Sequence, residues 1–494
     1  MKKILLICTA VLGLGLSSCD SYLDINQDPN SPTEENITSD MLMPAVEMNI
    51  AASYGNFLRI VGGYYTQHYA QMFGTSNYLD YSQFTMSATR SSSTYTQFTA
   101  RVLKNAEAIR KMSVESEDWG TYLAATVLRA YTYQILVDCY GEVPYTEALD
   151  VSNTSPKYDE GKAIYEGVLA ELDDALAKVG ETDPVCTNFL FPEGNAGEWI
   201  KFANALKLKM LMRMSNTVNV EDKIASLIAE DNFPTEDVAW ENCWSNEAGK
   251  ANPFYQEEFA TYFGSTQTNV VLNIALQATM AEYNDARLAT FFSPNSSNNY
   301  TGAVSGTNFS TTESYKSDYW CRPVVAYDAP VALISVSEIE FFLAEYEARY
   351  GTSANAEAHY KAAVEASFAA AGVEGADAAL AAYPWDNANY QQVIGIQKWI
   401  ALSGSNNFEA WCEARRLKSP AFGTATGDDI YNETNDSYDA SAYVAGTFYT
   451  PIHYDTKVGA GKLIQRFPYA ESSANRNNNT PVNKGNSTPV FWAE

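Results

Sequence analysis

Apolar residues recur every three to four positions along several stretches of this chain, the spacing of helices that bury one face. Between Thr121 and Val137 the apolar positions are Leu123, Val127, Leu128, Tyr131, Ile135 and Leu136. A turn follows at Tyr140-Gly141-Glu142-Val143-Pro144. The same rhythm predicts helices over Gly161–Val179, Glu198–Met214, Ser337–Tyr350, Asn355–Ala370, Tyr390–Leu402 and Asn407–Lys418, and helical pieces within Met41–Gln71. Short connections between neighbours predict helical hairpins of the tetratricopeptide kind, at about 96–215 and 335–418. The fixed repeat of roughly 34 residues and its full consensus are absent. The fold class is therefore mainly α, a scaffold of stacked hairpins whose insertions can carry function. Two regions break the pattern. Residues 72–100 are rich in Ser, Thr and Tyr, and residues 231–335 form a long loop-rich insert with Asn, Ser and Gly between aromatic rings. An irregular stretch of that length inside a compact protein points to a functional face.

The N-terminus reads differently. Met1, Lys2 and Lys3 precede an apolar run from Ile4 to Leu16. That run is shorter than the roughly 20 residues a spanning helix needs, so it reads as a cleaved export signal. Leu16-Ser17-Ser18-Cys19 has the form of a bacterial lipobox. This divides the chain into a signal peptide at 1–18, a lipidated leader at 19–40 that starts at Cys19, and a single domain at 41–494. The leader carries Asp24, Asn26, Asp28 and Asn30, with Glu35 further on, an echo of a calcium loop. Pro29 stands where such a loop needs Gly, so an extended, Asx-stabilised leader is the better reading.

Composition narrows the function. Sixty acidic residues face 32 basic ones, a net charge of −28 that removal of Lys2 and Lys3 makes more negative. Such a chain repels nucleic acid, and nucleic-acid binding is set aside. Beyond Cys8 and Cys19 the cysteines are Cys139, Cys186, Cys243, Cys321 and Cys412, widely spaced and without a CxxC pair, and are expected as buried free thiols. His68, His359 and His453 lie too far apart to suggest a metal centre, and no metal or other cofactor is expected. No GxSxG elbow, P-loop or HExxH motif occurs outside the signal peptide. Adjacent carboxylates such as Asp173-Asp174, Glu257-Glu258 and Asp428-Asp429 are expected by chance in so acidic a chain, so the chain is not read as an enzyme.

The aromatic content, 13% of residues with 33 Tyr and 9 Trp, favours recognition of a ligand with flat faces. Tyr and Trp combine an apolar ring with a polar group, which suits sugar rings and peptide backbones. The candidate contact residues are Tyr78 and Tyr81 beside Gln83, and Trp240, Trp244, Tyr255, Tyr262 and Trp320 beside Asn242, Asn246, Gln256, Gln267 and Asn269. Arg287 and Arg322 could clamp a carboxylate, although ordinary ion pairs are the simpler expectation.

Several segments together resemble one family. They are the lipobox, Leu23-Asp24-Ile25-Asn26-Gln27-Asp28-Pro29-Asn30, Leu128-Arg129-Ala130-Tyr131, and Asp138-Cys139-Tyr140-Gly141-Glu142-Val143-Pro144-Tyr145-Thr146-Glu147-Ala148-Leu149. Trp199-Ile200-Lys201-Phe202-Ala203-Asn204, Gln397-Lys398-Trp399-Ile400-Ala401-Leu402, Glu409-Ala410-Trp411 and Arg466-Phe467-Pro468-Tyr469 complete the set. The chain resembles the SusD/RagB family of nutrient-binding outer-membrane lipoproteins of Bacteroidetes-type bacteria, in its SusD-like subgroup. The resemblance implies a lipid-anchored, surface-exposed protein of the outer membrane that binds an oligosaccharide and passes it to a TonB-dependent, SusC-like barrel. It fixes no ligand contact by position, because contacts in this family lie in variable loops. Two alternatives stay open: a peptide-binding member of the same fold, and a structural lipoprotein without a ligand.

Overall fold

The computed structural model describes residues 36–150, 152–260, 269–307 and 317–494. Cys19 and the leader as far as residue 35, together with Tyr262 and Gln267, lie outside the described residues.

The chain enters the fold through α1 (Ser39–Ala52), a π-helical segment (Ser53–Leu58) and α2 (Arg59–Tyr65). The first helix thus begins inside the span assigned to the leader. Gly62 and Gly63 let α2 approach its neighbours at main-chain distance. A Cβ on Gly62 would lie 2.4 Å from the Asn407 carbonyl oxygen, and one on Gly63 would lie 2.2 Å from the Tyr69 ring. α3 (Ala88–Thr96), capped by the Ser87 hydroxyl, runs through a second π segment (Gln97–Leu103) into α4 (Lys104–Ser116). The Ser- and Thr-rich stretch expected as loop is therefore partly helical.

α5 (Trp119–Tyr140) is the central helix. Asp118 caps it by accepting from the Thr121 amide, and every residue from Gly120 to Tyr140 is buried. A helix buried on all sides sits inside a core rather than on its edge. It stops at Gly141, whose φ of 80° lies in the left-handed region and whose missing Cβ makes room for the Arg466 guanidinium. α4, α6 (Gly161–Leu176) and α7 (Ala196–Met214) all pack on it, and α8 (Glu221–Glu230) packs on α7. β1 (Tyr69–Gln71) pairs antiparallel with β3 (Val270–Leu272), and β2 (Val238–Trp240) with β4 (Val331–Ile334). α9 (Ile274–Ala281) follows β3.

The second helical group is α10 (Val336–Tyr350), α11 (Ser353–Ala370), α12 (Ala376–Ala382), α13 (Tyr390–Ala401) and α14 (Asn407–Leu417). α10 packs on α11 and α13, and α13 on α14. The two groups meet where α10 touches α7 and α14 touches α2. Short strands β5 (Phe422–Thr426), β6 (Tyr431–Asn432), β7 (Ser437–Tyr438) and β8 (Phe448–Thr450) close the fold, β5 with β8 in parallel. About half of the protein is helical, with paired helices and few strands, as the hydrophobic spacing predicts.

An ionic network joins the groups from inside. The Arg213 guanidinium donates to Asp138 at 2.6 Å and to Glu413 at 3.1 Å, and also pairs with Glu409. Arg416 pairs with Glu345 at 2.5 Å and with Glu413 at 2.7 Å, and Lys398 reaches Glu413 at 3.0 Å. Burial pushes the Glu413 carboxyl up, but Arg416, Lys398 and Arg213 outweigh it and hold it well below the usual carboxylate range.

Candidate ligand-binding face

The β1–β3 ladder brings together three segments that carry aromatic rings. Residues 76–84 follow β1. The helical turn Pro253–Glu258 precedes β3 and is capped by Asn252, whose side-chain oxygen accepts from the Phe254 and Tyr255 amides. Glu258 ties that turn to β3, accepting from the Asn269 amide at 3.0 Å, its side-chain amide at 3.1 Å and the Val270 amide at 3.3 Å. Burial raises the Glu258 carboxyl. The run Trp320-Cys321-Arg322 lies alongside, with the Leu272 amide donating to the Cys321 carbonyl at 2.8 Å.

Burial sorts the candidate rings. Tyr78 and Tyr81 stack on each other at 5.7 Å and 13° and pack on Tyr64, leaving each ring buried. The Tyr78 hydroxyl donates to Glu257 at 3.0 Å. Trp240 is fully buried on β2, where it pairs across to Val331. Trp320 is buried between Phe73, Tyr319 and Tyr438, with ring centroids 4.8, 4.8 and 5.8 Å away. These four rings, expected from the sequence as ligand contacts, are covered by neighbouring rings and strands and serve as posts beneath the surface. Trp244 is half-buried, its indole N–H donating to the Trp240 carbonyl at 3.0 Å. Tyr255 is likewise half-buried.

Tyr255 belongs to a shelf that also contains two rings outside the predicted set. Phe259, one helical turn on, lies 6.1 Å from it at an interplanar angle of 15°, so the two rings are nearly parallel. Tyr327, 37% exposed, meets Tyr255 edge to face at 6.4 Å. The Asn252 amide donates to the Tyr327 carbonyl at 2.7 Å and so fixes that loop to the helical turn. The Arg322 guanidinium lies 4.7 Å over Phe259 and donates to the Glu258 carbonyl at 3.3 Å. A partly exposed pair of near-parallel rings, with a guanidinium over Phe259, can offer an apolar surface to a ring-shaped ligand and a donor to its hydroxyls. Phe259 and Tyr327 lie within the aromatic insert, and the four-residue spacing of Tyr255 and Phe259 is the signal that could have singled out the pair.

Arg287 is engaged internally. Its guanidinium donates to Asp285 at 2.6 Å, Ser367 at 2.9 Å and Gln397 at 3.2 Å, the ordinary pairing expected of it. The cysteines Cys139, Cys186, Cys243, Cys321 and Cys412 are free thiols, three buried and two half-buried. Among the described residues no group of three His, Cys, Asp or Glu could hold a metal ion, and no helix is long and apolar enough to cross a membrane.

Comparison with known proteins gives the fold a context. A SusD homolog from Bacteroides uniformis aligns over 91% of this chain and 99% of its own, at 20% identity and a TM-score of 0.70. A chitin-binding SusD homolog from Flavobacterium johnsoniae aligns over 91% and 98%, at 19% identity and a TM-score of 0.70. A SusD/RagB family protein from Bacteroides thetaiotaomicron aligns over 92% and 99%, at 20% identity and a TM-score of 0.68. At these identities the likeness speaks for the fold. No curated protein matches the chain. The SusD-like family, described as starch-binding and associating with the outer membrane, matches residues 29–438, and the chain belongs to that family.

Proposed function

We propose that this protein is a nutrient-binding lipoprotein of the outer membrane. Residues 1–18 are its export signal, Cys19 carries the lipid, and the domain beyond residue 40 captures an oligosaccharide and delivers it to a TonB-dependent, SusC-like barrel. The observation that carries the ligand reading is the shelf formed by Tyr255, Phe259 and Tyr327, with Arg322 over Phe259. The family's description as starch-binding and the chitin-binding relative support a sugar over other nutrients.

Calorimetric titration of the full-length chain in detergent, against starch and chitin oligosaccharides and a peptide digest, tests this. An oligosaccharide should bind, and Tyr255→Ala or Phe259→Ala should weaken it about tenfold, the scale of a lost aromatic stacking contact. Binding of peptides alone would replace the sugar with the peptide reading. Sugar binding that neither variant alters would move the site away from the shelf.

A further inference from the structure

Arg59 is the exception among the buried arginines. Arg129, Arg213, Arg287, Arg416 and Arg466 each pair with a carboxylate. Arg415 donates to the Asp138 carbonyl at 3.0 Å and the Gln465 carbonyl at 2.6 Å. Arg59 is 6% exposed, and its one hydrogen bond runs from Nε to the Tyr69 hydroxyl at 3.4 Å. Its guanidinium carbon lies 4.2 Å from the centroid of the Phe254 ring, and that ring is stacked on Tyr69 at 5.9 Å and 3°. The Phe254 ring and the Tyr69 hydroxyl hold the guanidinium in place. Its Nη nitrogens have no acceptor among the described residues.

Arg59 lines a cleft of about 330 Å³ between the β2–β4 pair and the ends of α11 and α13. Phe291, Val324, Val325 and Pro330 make its walls largely apolar. Ser403 also lines it, fully buried, with a hydroxyl that has no hydrogen-bond partner. A guanidinium keeps its proton at any ordinary pH, and an unpaired buried charge is strongly unfavourable. Two Nη–H donors in one plane match the two oxygens of a carboxylate. Asp237 and Glu241 stand on the same cleft, outside ion-pair distance of Arg59. Their negative charge weakens the hold on any anion there, most of all on a multiply charged one.

We infer that this cleft is a second ligand site, for a small monocarboxylate the size of one sugar acid or one amino acid. The carboxylate takes the Arg59 Nη edge. The site is separate from the shelf at Tyr255 and stands whether or not that shelf binds sugar.

Titration of the full-length chain with glucuronate, alanine, glucose and inorganic phosphate tests it. Glucuronate or alanine should bind and glucose should not; which of the two binds identifies the source of the carboxylate. Arg59→Lys should weaken binding about tenfold by removing the planar fork. Ala371→Trp, a half-exposed position on the cleft wall, should block binding while leaving the fold and any oligosaccharide binding at Tyr255 intact. No binding of either carboxylate by the wild-type chain overturns the inference. So does phosphate binding of equal strength, or carboxylate binding that both variants leave unchanged.

Discussion

Glu47 on α1 shows how a single buried group sets a pH response. Its carboxylate accepts from the Phe189 amide at 2.7 Å and the Leu190 amide at 3.0 Å, which pins the 186–191 loop to the first helix. Burial nevertheless pushes its carboxyl up to about 7, with those two amides pulling the other way. Between the ordinary carboxylate value near 4.5 and about 7, the folded chain holds this proton and the unfolded chain does not. Stability from this group is therefore fully present at low pH and is lost as pH rises through that window. Glu47→Gln should flatten the fall by on the order of 2 kcal/mol, read as a smaller difference in Tm between pH 5 and pH 7.5 than in the wild type. An unchanged pH dependence would mean that Glu47 keeps an ordinary carboxyl. The rings make a second contrast at this scale. Trp320→Ala opens a cavity among Phe73, Tyr319 and Tyr438 and should cost about 3–5 kcal/mol in a denaturation experiment. Tyr327→Ala, at a 37% exposed position, should change stability by less than about 1 kcal/mol while weakening oligosaccharide binding. Equal stability losses in the two variants would contradict the division into posts and shelf.

Among the elements, α5 and α14 carry the most. Both are buried along nearly their whole length, and both place charged groups inside the protein. Arg213→Met would leave Asp138, Glu409 and Glu413 without their shared cation, and should destabilise the fold by about 3–5 kcal/mol in chemical denaturation. A loss under 1 kcal/mol would show that those carboxylates find other partners. The helices themselves were legible from periodicity: the stretch read as Thr121–Val137 is α5, and Glu198–Met214 is α7 with its cap at Asn195 added. α3 was not legible. Its inward positions are Ser91, Thr94 and Tyr95, so burial there leaves no apolar stripe in the sequence. The ionic network was hidden for a related reason. Asp138, Arg213, Glu345, Glu409 and Arg416 come from α5, α7, α10 and α14, and nothing local marks a charged residue as one that will be buried with a partner some 70 to 200 positions away.

For the molecule as a whole, the proposed site follows the sequence reading in its region and departs from it in its rings. The insert at 231–335 does supply Tyr255, Phe259 and Tyr327, yet which ring stays exposed depends on long-range pairings, such as Tyr69 with Leu272 and Trp240 with Val331. Those pairings bury Trp240 and help bury Trp320, the two rings that their size alone made attractive. The same long-range packing divides the interior unequally. The main core runs from α1 through α5 and α7 to α14 and the final segment at Trp492. A smaller cluster of Phe341, Tyr360, Val364, Phe368, Ala379, Ile394 and Leu417 lies within the second helical group. It has fewer buried apolar residues, and α11 and α12 turn exposed faces to solvent, so this group should open locally at lower free energy than the core. Leu417 and Trp411 sit on the same helix and belong to the two clusters separately, so α14 should follow the main core. Native-state hydrogen exchange checks this directly: amides of α11 and α12 should exchange well before those of α5 and α14. If all four helices exchanged together, the two clusters would form one cooperative unit, and the Arg59 cleft, which lies against the end of α11, would be as rigid as the core.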